Sequence, residues 1–148
     1  IGHIMKELFP FLVFLGSILS YGNLSAQQHP QDTTIQYSIN NCVVPYTKSE
    51  ITPTKSGYAF WYLPKEFTQS GFNVKLSYVD KATATHAPHQ HPNDECYFIL
   101  EGRATVIIGN KEMRVRPGTC VYCPGGVLHG IKKAGRKPIK YLVINNAL

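Results

Sequence analysis

His89-Gln-His91-Pro-Asn-Asp-Glu95 runs directly into Cys96-Tyr-Phe-Ile-Leu-Glu-Gly102, and the fold is decided by how this stretch is laid out. Side chains two apart on an extended chain face the same way, so the imidazoles of His89 and His91 converge. Glu95 follows after a Pro-Asn-Asp turn and opens a strand that Gly102 closes. Tyr97 shares the parity of Glu95 and is expected to point inward, while Cys96 faces the other way. A further donor, His129, comes after Pro124-Gly-Gly-Val-Leu. Three imidazoles and one carboxylate suit a divalent transition ion (Mn, Fe, Co, Ni, Cu or Zn) and suit Ca or Mg poorly. Taken alone, a His-x-His pair on a strand more often marks surface or core histidines than ligands.

The rest of the chain gives that stretch its setting. The 148 residues are the length of one domain, and 43% are hydrophobic with only 16% charged, which excludes a disordered chain. Nine Tyr, 12 Gly and 10 Pro favour short strands joined by turns over long helices. Strands are expected at residues 33–39, 58–63, 72–78, 96–100, 104–108, 111–115, 119–123, 128–133 and 139–144. In the third of these, Phe72, Val74, Leu76 and Tyr78 alternate with Asn73, Lys75 and Ser77, and the apolar set is expected to supply the core. Strands at this spacing argue for an all-β antiparallel sandwich or barrel.

The spacing His89-x-His91-x3-Glu95-x6-Gly102, followed by Gly118-x5-Pro124-x-Gly126-x2-His129, resembles the two sequence motifs of the cupin superfamily. The departures are Thr83, where the first motif usually begins with Gly, and Lys133, where the second often ends with Asn. What the resemblance implies is a single cupin-type jelly-roll β-barrel over residues 33–148. Its metal would be held inside by His89, His91, Glu95 and His129. It also implies a homodimer and a small-molecule substrate or ligand. Gly102, Gly118, Pro124 and Gly126 are expected to form the motif turns. Tyr97, Tyr122 and His86 are the candidate proton-moving groups, with Tyr78 another tyrosine that can face the interior. The expected function is a metalloenzyme, a dioxygenase, isomerase or lyase, acting on a small oxygenated organic molecule bound to the metal. The alternative is a non-catalytic small-ligand or sugar-binding module, because one fold hosts many activities.

Outside these motifs, Lys6 and the apolar run from Leu8 to Leu19, ending at Asn23-Leu-Ser-Ala26, have the pattern of a signal peptide over residues 5–26. Cleavage after Ala26 would export the protein to the periplasm or the exterior and leave residues 27–32 as a flexible lead. The run is too short for a stable membrane span. The formal charge is +6, with basic residues at Lys111, Arg114 and Arg116 and around Gly135, where a hairpin turn is expected. No aromatic platform accompanies them, so nucleic-acid binding is not expected. Cys120 and Cys123 lie three residues apart on one expected strand, at roughly 10 Å, which is beyond disulfide reach. Pairing of Cys42 with one of the other three cysteines, Cys96, Cys120 or Cys123, stays open.

Overall fold

The computed structural model describes residues 35–146, so the expected signal peptide and the lead at 27–32 lie outside the described residues. The chain opens with a single helical turn α1 (Ile39–Cys42) and a 3-10 turn at Lys48–Glu50. Nine strands follow: β1 (Thr52–Thr54), β2 (Gly57–Leu63), β3 (Phe72–Val79), β4 (Glu95–Glu101), β5 (Ala104–Ile108), β6 (Lys111–Val115), β7 (Cys120–Cys123), β8 (His129–Lys133) and β9 (Ile139–Asn146). They pair antiparallel in two sheets, one ordered β1-β2-β3-β9-β4-β7 and the other β6-β5-β8. The protein is a small all-β jelly roll, as its turn-punctuated sequence implies.

Three expectations are corrected. The described part of 33–39 carries no strand and leads instead into α1, a turn too short to leave any helical periodicity in the sequence. The segment around Gly135 is no hairpin, since it carries the chain from β8 in one sheet to β9 in the other. The apolar set on β3 faces away from the barrel interior. Leu76 pairs with Phe60 and both are buried, but on the outer side of the sheet, where the Tyr46 ring meets Phe60 edge-on at 5.2 Å. Phe72, Val74 and Tyr78 on that side are half-buried, and Tyr78 stacks on Tyr58 at 4.7 Å. The N-terminal segment thus covers part of the apolar outer face of this sheet.

The interior core is built by Val79, Tyr97, Ile99, Ala104, Val106, Ile131, Ile139, Tyr141 and Val143. Each of these inward strand positions removes apolar surface from water, at roughly 25 cal/mol per Å². Gly102 closes β4 at a φ of +78°, and a Cβ there would stand 2.1 Å from the Pro138 carbonyl oxygen. The tight approach of β4's end to the start of β9 therefore requires glycine.

Candidate metal centre

His89 and His129 come from opposite halves of the domain, and their backbones form an isolated antiparallel bridge. The His89 amide donates to the His129 carbonyl at 2.9 Å, and the His129 amide donates back at 2.8 Å. This reciprocal pair joins the two motifs. The turn at Pro124–Val127 holds the approach: the Val127 amide donates to the Pro124 carbonyl at 3.2 Å, and the Gly126 amide to the His91 carbonyl at 2.7 Å. Asp94 accepts from the Gly125 amide at 2.9 Å, and Gly126 takes a φ of +75°. Gly118, also at positive φ, donates to the Ile99 carbonyl at the far end of β4.

The outcome is a cluster of imidazoles. Ring centroids lie 5.2 Å apart for His89 and His91, 4.8 Å for His89 and His129, and 4.7 Å for His91 and His129. One nitrogen from each lies within 4.8 Å of the other two. Glu95, 6% exposed at the start of β4, places Oε1 at 3.7 Å from His129 Nε2 and Oε2 at 3.8 Å from His91 Nε2. Those separations are too long for hydrogen bonds. With each donor about 2.1 Å from a shared ion, two ligand atoms stand at most ~4.2 Å apart, so Glu95 is within reach of an ion held by His91 and His129, while the three imidazole nitrogens, spread over up to 4.8 Å, would draw together on it.

The hydrogen bonding fits an ion as well. Val127 O lies 2.7 Å from His129 Nδ1, a contact that requires the proton on Nδ1 and leaves the Nε2 lone pair free. His129 is fully buried, and its Nε2 has no hydrogen-bond partner among the described residues. The same holds for Nδ1 of His89 and Nδ1 of His91. A buried polar atom without a partner is costly, at about 1–3 kcal/mol, and an ion on His129 Nε2 relieves that cost there. Burial lowers the pKa of His89 from the usual 6.5, helped by repulsion from His86, His129 and His91 and opposed by Glu95. A neutral imidazole is the ligating form.

Two asparagines that sequence reasoning missed orient the carboxylate. Asn73, Asn145 and Glu95 stand in one row across β3, β9 and β4. Asn73 Nδ2 donates to Asn145 Oδ1, and Asn145 Nδ2 donates to Glu95 Oε2 at 3.1 Å. The available signal was parity, because both asparagines share the inward register of their strands.

The proton-moving candidates fare differently. Tyr97 is 2% exposed on the inner face, edge-on to Tyr141 at 5.7 Å and 6.4 Å from the His129 ring. Burial and the neighbouring Glu95 carboxylate raise its pKa, so it stays a donor. Tyr122 is corrected: it pairs with Cys96 on the outer face, is 57% exposed, and has its pKa raised mainly by a hydrogen bond to Asp94. The strand's period was evident in the sequence, but its register was not. Tyr78, as described, also lies on the outer side. His86 is exposed, meets the His89 ring at 4.3 Å and lines a cavity beside the cluster. Cys120 and Cys123 are free and lie on opposite faces, the first exposed and the second buried. Cys123 stands directly across from Glu95, and its thiol is pushed up to about 12, chiefly by burial.

Residues 76–145 match a family model described as a cupin domain. An uncharacterized protein of Streptomyces coelicolor is 38% identical over 61 residues, 41% of this chain and 57% of its own length. An uncharacterized protein of Methanocaldococcus jannaschii is 36% identical over 55 residues, 36% of this chain and 44% of its own length. The chain thus spans about half the length of these curated relatives. Among solved structures, the Cnp3 cupin domain of Schizosaccharomyces pombe superposes with a TM-score of 0.58 at 16% identity, over 71% of this chain and 70% of that one. A Cupin 2 conserved barrel domain protein of Salinispora arenicola gives 0.57 at 17% identity, over 71% and 87%. At such identities the likeness concerns the fold.

Proposed function

We propose, on the match of residues 76–145 to the cupin-domain model, that this is a metal-dependent protein in which His89, His91, Glu95 and His129 hold one divalent transition ion. The activity proposed is that of a metalloenzyme acting on a small oxygenated organic molecule inside the barrel. The observation that carries this is the convergence of three imidazoles, one nitrogen of each within 4.8 Å of the other two, beside the Glu95 carboxylate. The ion would supply Lewis-acid polarisation of a bound oxygen or, if redox-active, dioxygen chemistry. The chain's own contribution is positioning. Val127 fixes the His129 tautomer, Asn145 and Asn73 aim Glu95, and Tyr97 presents a protonated hydroxyl to the interior. Which of oxygenation, isomerisation or elimination follows depends on the substrate. The test is to screen the protein, loaded with each of Mn, Fe, Co, Ni, Cu and Zn in turn, for turnover of small hydroxy- and oxo-compounds. No turnover with an ion bound at one equivalent would favour a binding module.

The asparagine relay gives a prediction. Asn145→Leu leaves Glu95 Oε2 without its donor, and loss of such outer partners typically costs about 10–100-fold in metal affinity. Competition with a chromogenic chelator should show at least about tenfold weaker binding, with the same stoichiometry at saturation. Unchanged affinity would remove the relay from the account.

Export is proposed on the sequence pattern alone. Intact mass of the protein recovered from its native host should correspond to a chain beginning at Gln27. Recovery from the cytosol with residues 5–26 attached would contradict it.

A further inference from the structure

One charge in the barrel interior is left unused by the proposed centre. Lys75 lies on β3 between Asn73 and Ser77, two buried residues on the inner face. Its register partners are Trp61 on β2 and Val143 on β9, and Val143 pairs in turn with Tyr97 on β4. With Ser77, Glu95, Tyr97, Tyr141 and Val143, Lys75 lines a cavity of about 280 Å³. Its Nζ stands 5.1 Å from the centroid of the Trp61 ring, a neighbour outside the cavity lining that favours the charged ammonium. Among the described residues no carboxylate is paired with Lys75, although Lys132 and Lys140 have Glu112 and Glu101. The one carboxylate in the lining, Glu95, faces His91 and His129. A second ammonium, Lys55, sits at the rim, and the hydroxyls of Thr85 and Tyr141 add donors.

A lysine in the lining of a half-enclosed cavity, with no carboxylate paired to it, offers an anion entering that cavity an ammonium to bind. We propose that this cavity takes a small molecule bearing a carboxylate, which Lys75 holds, while the apolar body lies against Ile131, Tyr141 and Val143. The volume falls just under the ~300 Å³ at which drug-sized pockets begin, so the ligand is of about benzoate size. The inference deepens the proposed function and rests on it only for the end of the molecule turned toward the imidazoles. The charge preference comes from the lysine.

Benzoate, benzamide and benzamidine share one shape and differ in charge, which makes them suitable probes. Calorimetric titration of each into the full chain, with metal and after chelator treatment, should show benzoate binding at least about tenfold (~1.4 kcal/mol) more tightly than benzamide in both forms. Lys75→Met should abolish that preference while leaving benzamide affinity within about twofold, and Lys75→Arg should retain it. The proposal is overturned if benzoate does not bind at about 10 mM, if the two neutral and anionic probes bind equally, or if the preference survives Lys75→Met. A preference that vanishes on removing metal would also overturn it and leave the metal centre standing. Benzoate preference in a protein that binds no ion would instead sink the metal reading and keep this one.

Discussion

Replacing His129 by alanine should reduce bound transition metal from about one equivalent to under about a tenth, while the barrel remains folded. The size of the effect follows from where the residue comes from. His89, His91 and Glu95 arrive together on one stretch, whereas His129 is the single donor from the second motif and the most deeply buried of the four. Its loss leaves an over-open set of three donors. The structural cost is smaller. The Val127 carbonyl loses its partner, for about 1–3 kcal/mol, against the 5–15 kcal/mol by which domains are typically stable. Elemental analysis alongside circular dichroism separates the two effects. A folded His129→Ala protein that still holds a full equivalent would show that the ion, if present, is bound elsewhere.

Gly125→Ala should be nearly as damaging, and by a different route. Gly125 has an ordinary φ, so nothing in its backbone angles calls for glycine. What calls for it is space, because a Cβ there would lie 2.1 Å from the Pro92 carbonyl oxygen and 2.8 Å from the Pro92 carbonyl carbon. Those are backbone atoms, which no rotamer change can move aside. Pro92 follows His91, and the same contact is tied down by the Gly126 to His91 and Gly125 to Asp94 hydrogen bonds. The 92–94 turn must therefore shift and carry His91 away from Glu95. Overpacking of this kind costs about 1–3 kcal/mol. A 1 Å displacement of a site can itself cost about 100-fold in function. Expected are a thermal midpoint lowered by roughly 4–8 °C and metal affinity weakened by at least about tenfold. A variant with wild-type affinity would mean that the turn does not set the position of His91.

These cases show which parts of the molecule were legible in its sequence. The histidine cluster was, through the resemblance of the spacing to the two cupin motifs rather than through any local pattern, and Gly102, Gly118 and Gly126 do take positive φ. The strands from β2 onward were legible to within a few residues, since glycine and proline punctuate them. Which face of β3 looks inward was not. Period two gives alternation without direction, and the barrel reverses the usual assignment: Asn73, Lys75 and Ser77 line a polar interior, while Leu76 is buried on the outside against Phe60. Tyr122 failed similarly, because its direction depends on the pairing of Cys96 with Tyr122, a long-range register that no local pattern carries. The N-terminal segment was misread as a strand because its threonines, isoleucines and tyrosine favour extended chain. Within the described residues, α1 instead ends a segment whose Tyr37 hydroxyl is tied to the Phe67 carbonyl and whose ring meets Phe67 edge-on.

Protonation bears on the centre directly. The His89 pKa is lowered in the folded protein, so that imidazole stays neutral where a free one has begun to charge. A lowered pKa contributes stability that is present above the ordinary value of 6.5 and is lost as pH falls through the folded one. Metal-free protein should accordingly lose stability on acidification below that value, and an ion bound by neutral imidazoles should be released over the same direction of change, shifted to lower pH.

The most direct test is the metal content of the full chain, purified without metal-affinity resin, dialysed with excess Mn, Fe, Co, Ni, Cu or Zn in separate samples, and measured by elemental mass spectrometry at pH 7.5 and again below pH 5. The account predicts about one equivalent of at least one of these ions at the higher pH and its loss at the lower. Less than about a tenth of an equivalent of every ion at pH 7.5 would contradict it.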